Sequence, residues 1–149
     1  MSRALGTAVV GFGYWGANLA RNVDASARTR LVAISDNDTA RREKAATRYR
    51  HATVAQDLSS LLCSDEVEAV ILSTPAQTHA ELAREVLRSG RHILVEKPLA
   101  LSVTDALDVA RLADETGLVA MVGHTFLYSE PVRKLRDIVT SGELGAVRY

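Results

Sequence analysis

A short glycine-rich segment near the start of the chain has the residue types that can hold a diphosphate. Gly11, Gly13 and Gly16 stand in the order G-x-G-x-x-G, after an apolar run and before a stretch with helical periodicity. In this pattern the first glycine permits a tight turn, the second lets backbone approach a pyrophosphate, and the third allows close packing of helix and strand. The N-terminus of the following helix would offer N–H groups to the phosphates. A glycine-rich structural turn is the alternative interpretation.

A carboxylate at the end of the next apolar run fits the second part of such a ligand. Asp36 lies 20 residues after Gly16, the distance expected of a carboxylate that accepts from an adenosine ribose 2′-hydroxyl. Because a carboxylate would repel a 2′-phosphate there, the sequence favours NAD over NADP, although the nearby Arg41 and Arg42 could tolerate that phosphate. Asp36 or Asp38 could instead cap a helix, and Asp38 is the better candidate for that role.

Polar clusters also follow three later apolar runs, at Ser73-Thr74-Pro75, Glu96-Lys97-Pro98 and Gly123-His124-Thr125. Ligands of open α/β sheets bind outside the carboxyl ends of the strands, so these clusters predict a cleft. A lysine at its mouth can donate to, or relay a proton beside, a reacting hydroxyl or carbonyl, which makes Lys97 the candidate for chemistry. The alternative is a solvated loop lysine paired with Glu96. The Lys97–Pro98 bond is a candidate for the cis form.

Short apolar runs alternate with longer amphipathic segments along most of the chain. The runs are nearly continuous, which is typical of strands covered on both faces. Two amphipathic segments predict helices, Ala80–Gly90 and Ser102–Gly117, the second beginning with a capping box in which Asp105 replaces the usual Glu or Gln. The pattern predicts an α/β fold of the Rossmann type, a doubly wound parallel sheet. The predicted strands are Thr7–Val10, Leu31–Ser35, Thr53–Ala55, Val67–Ser73, His92–Val95 and Leu118–Val122.

The last residues depart from this alternation. Ser129-Glu130-Pro131 predicts the start of a helix, with an apolar stripe through Val139 and a stop at Ser141-Gly142. Leu144–Tyr149 then predicts the beginning of a strand that has no neighbour, and such a strand is not stable by itself. We therefore expect a dinucleotide-binding domain over residues 1–124. Residues 125–149 would be a connecting helix and the first strand of a truncated second domain.

Composition and charge exclude several classes of protein. Lys+Arg and Asp+Glu both number 18, so no basic surplus exists to bind nucleic acid. No apolar run is long enough to cross a bilayer, and the first residues lack a signal-peptide layout. Cys63 is the single cysteine, which rules out an internal disulfide and favours a cytoplasmic location. Its apolar neighbours predict a small buried side chain, and we expect no metal site.

Together these segments resemble the Gfo/Idh/MocA oxidoreductase family, and the resemblance covers essentially the whole chain. It implies hydride transfer between a nicotinamide cofactor and a hydroxyl or keto carbon of a sugar. The stretch from Gly13 to Leu19 is similar to members that act at C3 of nucleotide-linked sugars. The segments that carry the resemblance are Gly11–Gly16, Ser35-Asp36, Ser73-Thr74-Pro75 with His79, Glu96-Lys97-Pro98, and Gly123-His124-Thr125-Phe126 followed by Val132-Arg133-Lys134-Leu135.

The resemblance also implies a role for particular residues. It makes Lys97 the catalytic residue, which binds substrate and assists proton transfer. It places Thr74, Pro75 and His79 along the nicotinamide half of the cofactor site, with Glu96 near them. With the glycine loop and the ribose-binding segment, the expected cofactor-binding residues are Gly11, Phe12, Gly13, Tyr14, Trp15, Gly16, Asp36, Asn37, Ser73, Thr74, Pro75, His79, Glu96 and Lys97.

Members of this family carry a second domain, an open mixed sheet that supplies a catalytic histidine or tyrosine, most substrate contacts and the usual dimer interface. We expect that domain to be absent from this chain, the 149-residue chain alone to be inactive, and the full-length protein to be a homo-oligomer. His124 matches a motif residue of the first domain, which argues against it as a replacement base. His51 is expected at the surface, and His92 is expected to be structural.

Two other functional classes remain open. One is a free-standing NAD-binding sensor or regulatory module without catalysis, and the other is a protein that uses CoA or a flavin. The unpartnered strand predicted at Leu144–Tyr149 favours the oxidoreductase over the module. Asp36 disfavours CoA, because a ribose-binding carboxylate would resist its 3′-phosphate.

Overall fold

Six parallel strands form one sheet at the centre of the molecule. The computed structural model describes residues 3–146 and residue 148. The strands are β1 (Leu5–Val10), β2 (Thr29–Ser35), β3 (Thr53–Ala55), β4 (Ala69–Leu72), β5 (His92–Glu96) and β6 (Ala120–Gly123). Their order in the sheet is β3-β2-β1-β4-β5-β6, and every neighbouring pair is parallel. This confirms the predicted doubly wound sheet, whose order reverses between β1 and β4.

Helices cover both faces of the sheet. They are α1 (Tyr14–Ala25), α2 (Thr39–Arg48), α3 (Leu58–Leu62), α4 (Ala76–Arg88), α5 (Val103–Thr116) and α6 (Glu130–Ser141), with a 3-10 helix at Thr125–Tyr128. One buried cluster joins the sheet to α1 and α2 and another joins it to α3, α4 and α5. The central strands are buried on both faces, which explains why their sequences are continuous apolar runs.

Two helix boundaries show how local sequence sets the elements. The Ser102 hydroxyl accepts from the Asp105 backbone N–H at 3.0 Å, and α5 ends at Gly117, whose φ of +66° places it in the left-handed region. Both ends were predicted. The helix predicted from Ala80 begins four residues earlier, directly after Pro75, because proline has no N–H to leave unpaired at a helix start.

The final segment contrasts with the covered sheet. α6 begins where Ser129-Glu130-Pro131 predicted, yet none of its residues is buried. Its stripe is open to solvent, with Leu135 57% exposed. The strand predicted over Leu144–Tyr149 is wrong for residues 144–146, where a turn is closed by a bond from Gly145 N to Gly142 O of 2.9 Å. Val147 and Tyr149 lie outside the described residues. No described strand pairs with residues 144–146.

Cys63 also differs from its prediction. It is exposed, and its thiol lies 3.5 Å from the carbonyl oxygen of Ser59. Cys63 occupies the C-cap of the short helix α3, which turns Leu58 and Leu61 toward the core and leaves the cap residue outside. Apolar neighbours in sequence therefore did not indicate burial at this position.

Among the described residues, no helix is both long enough and apolar enough to cross a membrane.

Candidate functional site

A cavity of about 550 Å³ opens at the carboxyl edge of the sheet, where the strand order reverses. Several segments predicted to bind a cofactor line it, together with residues from the start of α3 and from α4. The lining residues are Val10, Gly11, Gly13, Ser35, Asp36, Asn37, Asp38, Arg41, Gln56, Asp57, Leu58, Ser59, Ser73, Thr74, Pro75, Thr78, Glu81, Leu82 and Glu85. The topology thus brings together residues from both halves of the fold.

The glycine loop is shaped by two positions that admit no side chain. Gly11 has a φ of +89°, and a Cβ there would lie 2.5 Å from the carbonyl oxygen of Ser73. At Gly16 a Cβ would lie 1.8 Å from the carbonyl oxygen of Gly11. The close approach at Gly16 is therefore between helix α1 and the loop itself, and not with a strand as expected. Gly13 differs, since its nearest neighbour would be Arg41 Nη1 at 3.7 Å, which leaves room for a ligand.

The residues between these glycines are not among those that line the cavity. Phe12 is buried and packs edge-on against Tyr49, with ring centroids 6.1 Å apart. Tyr14 and Trp15 stack on each other at 5.9 Å and are 87% and 45% exposed. Any contact of this loop with a ligand in the cavity is thus made by its backbone.

Asp36 connects the end of β2 to the glycine loop. Its Oδ2 accepts from the Phe12 N–H at 2.6 Å and its Oδ1 accepts from the Asp38 N–H at 2.8 Å. The residue is only 8% exposed, so its carboxylate is held rigidly at the cavity wall. Each carboxylate oxygen has two lone pairs, and a hydroxyl donor can still be accommodated. Asp38, as predicted, caps α2 by accepting from the Arg41 N–H at 3.0 Å.

The two arginines beside Asp36 have different roles. Arg42 donates from Nη1 to the carbonyl oxygens of Asp36 and Asn37, at 2.8 and 2.9 Å, and from Nη2 to Thr39 Oγ1 at 3.0 Å. Its guanidinium therefore braces the loop. Arg41 is half exposed, and its Nη1 lies 3.6 Å from Asp36 Oδ2 at the cavity mouth. Of the two, Arg41 is the cation placed to meet a ligand.

The loop after β4 is held by side chains of α4. Thr78 Oγ1 donates to the Pro75 carbonyl oxygen at 2.8 Å and can accept from the Thr74 hydroxyl, whose Oγ1 lies 2.7 Å away. His79 is 1% exposed, with Nε2 2.8 Å from the Thr74 carbonyl oxygen and Nδ1 2.7 Å from that of Pro98. His79 is not among the residues that line the cavity, because its ring lies beneath the loop surface with both nitrogens in contact with backbone carbonyls. Its expected place along the nicotinamide half of the cofactor site stays a prediction.

Glu96 and Lys97 end β5 on the same edge of the sheet. Glu96 is 7% exposed and pairs in register with Gly123, where a Cβ would lie 3.3 Å from Glu96 Oε1. Lys97 is exposed, and none of the ion pairs among the described residues includes it, which argues against the pairing with Glu96. The Lys97–Pro98 peptide bond is cis, as the sequence suggested.

The cavity also contains features that sequence reasoning missed. The Ser35 hydroxyl is buried at its wall with no hydrogen-bond partner among the described residues. Asp57 caps α3, and hydrogen bonds from the Ser60 backbone and side chain hold the pKa of its carboxyl below its usual value. The helix-capping pattern at Asp57 was a readable signal. The burial of Ser35 was not, because it depends on packing between β2 and the opposite helices.

The remaining histidines lie away from the cavity. His51 is exposed and its Nε2 lies 2.9 Å from Asp24 Oδ1, and His92 Nδ1 accepts from the Val119 N–H at 3.1 Å. Both agree with their predicted surface and structural positions. His124 is exposed at the end of β6, and its backbone N–H donates to the Val122 carbonyl oxygen at 2.8 Å.

Comparison with known proteins agrees with this geometry. Residues 5–124 match the Gfo/Idh/MocA model, described as an oxidoreductase family with an NAD-binding Rossmann fold. Inositol 2-dehydrogenase from Rubrobacter xylanophilus is 37% identical over 147 residues, which are 97% of this chain and 42% of that protein. The chain spans 31% to 42% of the length of the curated relatives it matches.

Solved structures give the same result. GenD2 from gentamicin A biosynthesis, in complex with NAD, is 36% identical with a TM-score of 0.90, over 96% of this chain and 41% of that one. KijD10, a 3-ketoreductase from Actinomadura kijaniata in complex with NADP and TDP-benzene, is 28% identical with a TM-score of 0.86. That match covers 94% of this chain and 43% of KijD10.

Proposed function

Because this chain belongs to the Gfo/Idh/MocA oxidoreductase family, we propose that it holds NAD(H) at the carboxyl edge of its sheet, as the cofactor domain of an oxidoreductase. The reaction proposed is hydride transfer between the cofactor and a hydroxyl or keto carbon of a sugar or nucleotide-linked sugar. The observation that carries the proposal is the Asp36 carboxylate, fixed at 2.6 Å from the Phe12 N–H beside the open Gly13. That arrangement fits an adenosine ribose next to a pyrophosphate.

The residues present fit the two ends of the cofactor differently. The backbone of the glycine loop, the start of α1 and the Asp36 carboxylate would hold the pyrophosphate and ribose. We assign the nicotinamide end to Ser73, Thr74, Pro75, Glu96 and Lys97, which follow β4 and β5 on the same sheet edge. Four further residues belong to this site through their backbone or their position in the loops: Phe12, Tyr14, Trp15 and Asn37. His79 belongs to it indirectly, through its contact with the Thr74 carbonyl oxygen.

Lys97 is the proposed catalytic residue. Its ammonium group is exposed and unpaired among the described side chains, so it can donate a hydrogen bond to a substrate oxygen and pass a proton to or from it. The bound nicotinamide would supply or accept the hydride. Sugar substrates are favoured by the relatives named above, which include an inositol dehydrogenase and a 3-ketoreductase solved with TDP-benzene.

Cofactor choice provides the first test. Titration of the purified chain with NADH and NADPH by calorimetry should give tighter binding of NADH, because the Asp36 carboxylate repels a 2′-phosphate. Replacing Asp36 with alanine should lower the affinity for NADH by about 10- to 100-fold, the value of a hydrogen bond to a charged group. The affinity for NADPH should fall less. Asp38→Ala is the matched control, since it removes the α2 cap but not the ribose contact. Equal or tighter NADPH binding by the unmutated chain would contradict the preference.

Catalysis provides the second test. We propose that the 149-residue chain alone turns over sugars negligibly, because hydride transfer requires substrate held against the nicotinamide face. A dehydrogenase assay on the chain should therefore stay at background while NADH binding is intact. Robust turnover would overturn this view. A protein that binds NADH in its full-length form but never oxidises or reduces a sugar would support the alternative, a sensor module. For the full-length protein we also propose a homo-oligomer in the cytoplasm.

A further inference from the structure

The strongest unexplained feature is a buried histidine between two loops. His79 lies in the first turns of α4 and is 1% exposed. Its two ring nitrogens lie 2.8 Å from the carbonyl oxygen of Thr74 and 2.7 Å from that of Pro98. One of these carbonyls follows β4 and the other belongs to the loop that carries Lys97. The ring thus bridges two loops that the chain places 24 residues apart.

The chemistry of the two partners limits the state of the ring. A carbonyl oxygen accepts and cannot donate, and a neutral imidazole has a single N–H. Whichever nitrogen carries that proton, the ring donates to one of the two carbonyl oxygens and packs against the other.

We propose that His79 is a positioning residue that holds the Lys97 loop against the Thr74 loop through its two ring nitrogens, which contact the Pro98 and Thr74 carbonyl oxygens. Lys97 needs such support because its own side chain is exposed and forms no ion pair among the described residues. Its backbone N–H has only a long contact of 3.3 Å to Glu96 Oε2. His79 fixes the loop from below, and the lysine side chain stays free above it.

A further contact supports the Thr74 side of the bridge. Thr78 Oγ1 lies 2.7 Å from Thr74 Oγ1, so the residue that His79 contacts is also held from the preceding position of α4. The other three histidines do not join two loops at this sheet edge. His92, at the opposite end of β5, contacts one backbone group, the Val119 N–H at 3.1 Å. It therefore serves as a control for the loss of a histidine contact to backbone.

Hydrogen exchange on the whole chain without cofactor tests the positioning role. His79→Ala should raise the exchange of the backbone N–H groups of residues 73, 74, 76, 96, 97 and 99 by about threefold to tenfold, the value of a lost hydrogen bond. Residues 11–16 should keep their exchange rates, because that loop is fixed by Gly11, Gly16 and Asp36. His92→Ala should change neither loop at the carboxyl edge. Unchanged exchange at 96–99 in His79→Ala, or a uniform rise over the whole chain, would overturn the proposal.

A second variant keeps the proposal testable if His79→Ala does not fold. His79→Gln keeps one donor amide but lacks the second ring nitrogen, so it is expected to loosen one of the two loops while the other keeps its protection. If His79→Gln leaves both loops as protected as in the parent, the positioning role is excluded.

The inference rests on the proposed function only in its consequence for Lys97. The exchange measurements use the chain without cofactor, so they can fail while NADH still binds. Conversely, a chain that binds no NADH would remove the proposed function and leave the bridge to be judged on those measurements. In a full-length enzyme, His79→Gln should lower kcat more than it raises KM for NADH, since the ribose and phosphate contacts are elsewhere.

Discussion

The two ends of the candidate cofactor cleft are built in different ways. At the adenosine end, Gly16 leaves no room for a Cβ and the Asp36 carboxylate is 8% exposed with two backbone donors. At the nicotinamide end, Lys97 is exposed, and the 3-10 helix and α6 that follow β6 bury no residue. One end is complete within this chain, whereas the other presents open surface.

This difference shows that cofactor binding and catalysis require different features of the fold. A pyrophosphate and a ribose are held by backbone and one carboxylate, which a single sheet edge can supply. The chemistry proposed at Lys97 would require groups that hold a second substrate from the far side of the cleft. Within the described residues, His79 supports the Lys97 loop from below. Those residues do not provide a surface that faces Lys97 across the cleft.

The largest expected effect comes from filling the closed end. Gly16→Ala places a Cβ within contact of the Gly11 carbonyl, so we expect a loss of about 1–3 kcal/mol in the free energy of unfolding and no measurable NADH binding. Gly13→Ala should change the free energy of unfolding by less than about 0.5 kcal/mol, because the atom nearest to the added Cβ is 3.7 Å away. Its effect should be confined to a lower affinity for NADH. Chemical denaturation and calorimetry measure both. If Gly16→Ala folds and binds like the parent, the adenosine end is not the rigid half.

An intermediate effect should separate the two arginines beside Asp36. Arg42→Ala removes three hydrogen bonds that brace the loop after β2 and should cost about 1 kcal/mol of stability. Arg41→Ala should leave stability nearly unchanged and lower NADPH affinity by at most about fivefold, since its guanidinium is half exposed and screened. Thermal melts and paired NADH and NADPH titrations give the result. A loss of NADPH binding only in Arg42→Ala would reverse the assignment.

The smallest effect on this chain is expected at the open end. Lys97→Ala removes an exposed side chain that has no ion pair among the described residues, so stability should stay within about 0.5 kcal/mol. NADH affinity should change by less than about threefold, because the charge that Lys97 adds is solvent-screened. Calorimetry on the chain measures both values. A large loss of NADH affinity would mean that Lys97 holds the cofactor itself. Both ends of the cleft would then bind the cofactor within this chain.

Much of the fold was readable because its causes are local. Continuous apolar strands, the capping pattern at Ser102 and the stop at Gly117 each depend on neighbours a few residues away. The same holds for the glycine loop and the position of Asp36. Errors arose where burial depends on distant packing. Cys63 is exposed although its neighbours are apolar, and residues 144–146 are not in a strand.

The amino-acid sequence by itself determined the sheet, its helices, the phosphate loop and the carboxylate beside it, since each follows from residue types at short spacings. Only the tertiary structure decided which arginine braces the loop and which faces the cavity. It also decided that His79 lies beneath the surface, because its partners are the carbonyls of two different loops. Every residue has a backbone carbonyl, so residue types in the sequence do not indicate which carbonyls a side chain will contact. Such a contact is visible only after the strands have placed both loops at one edge.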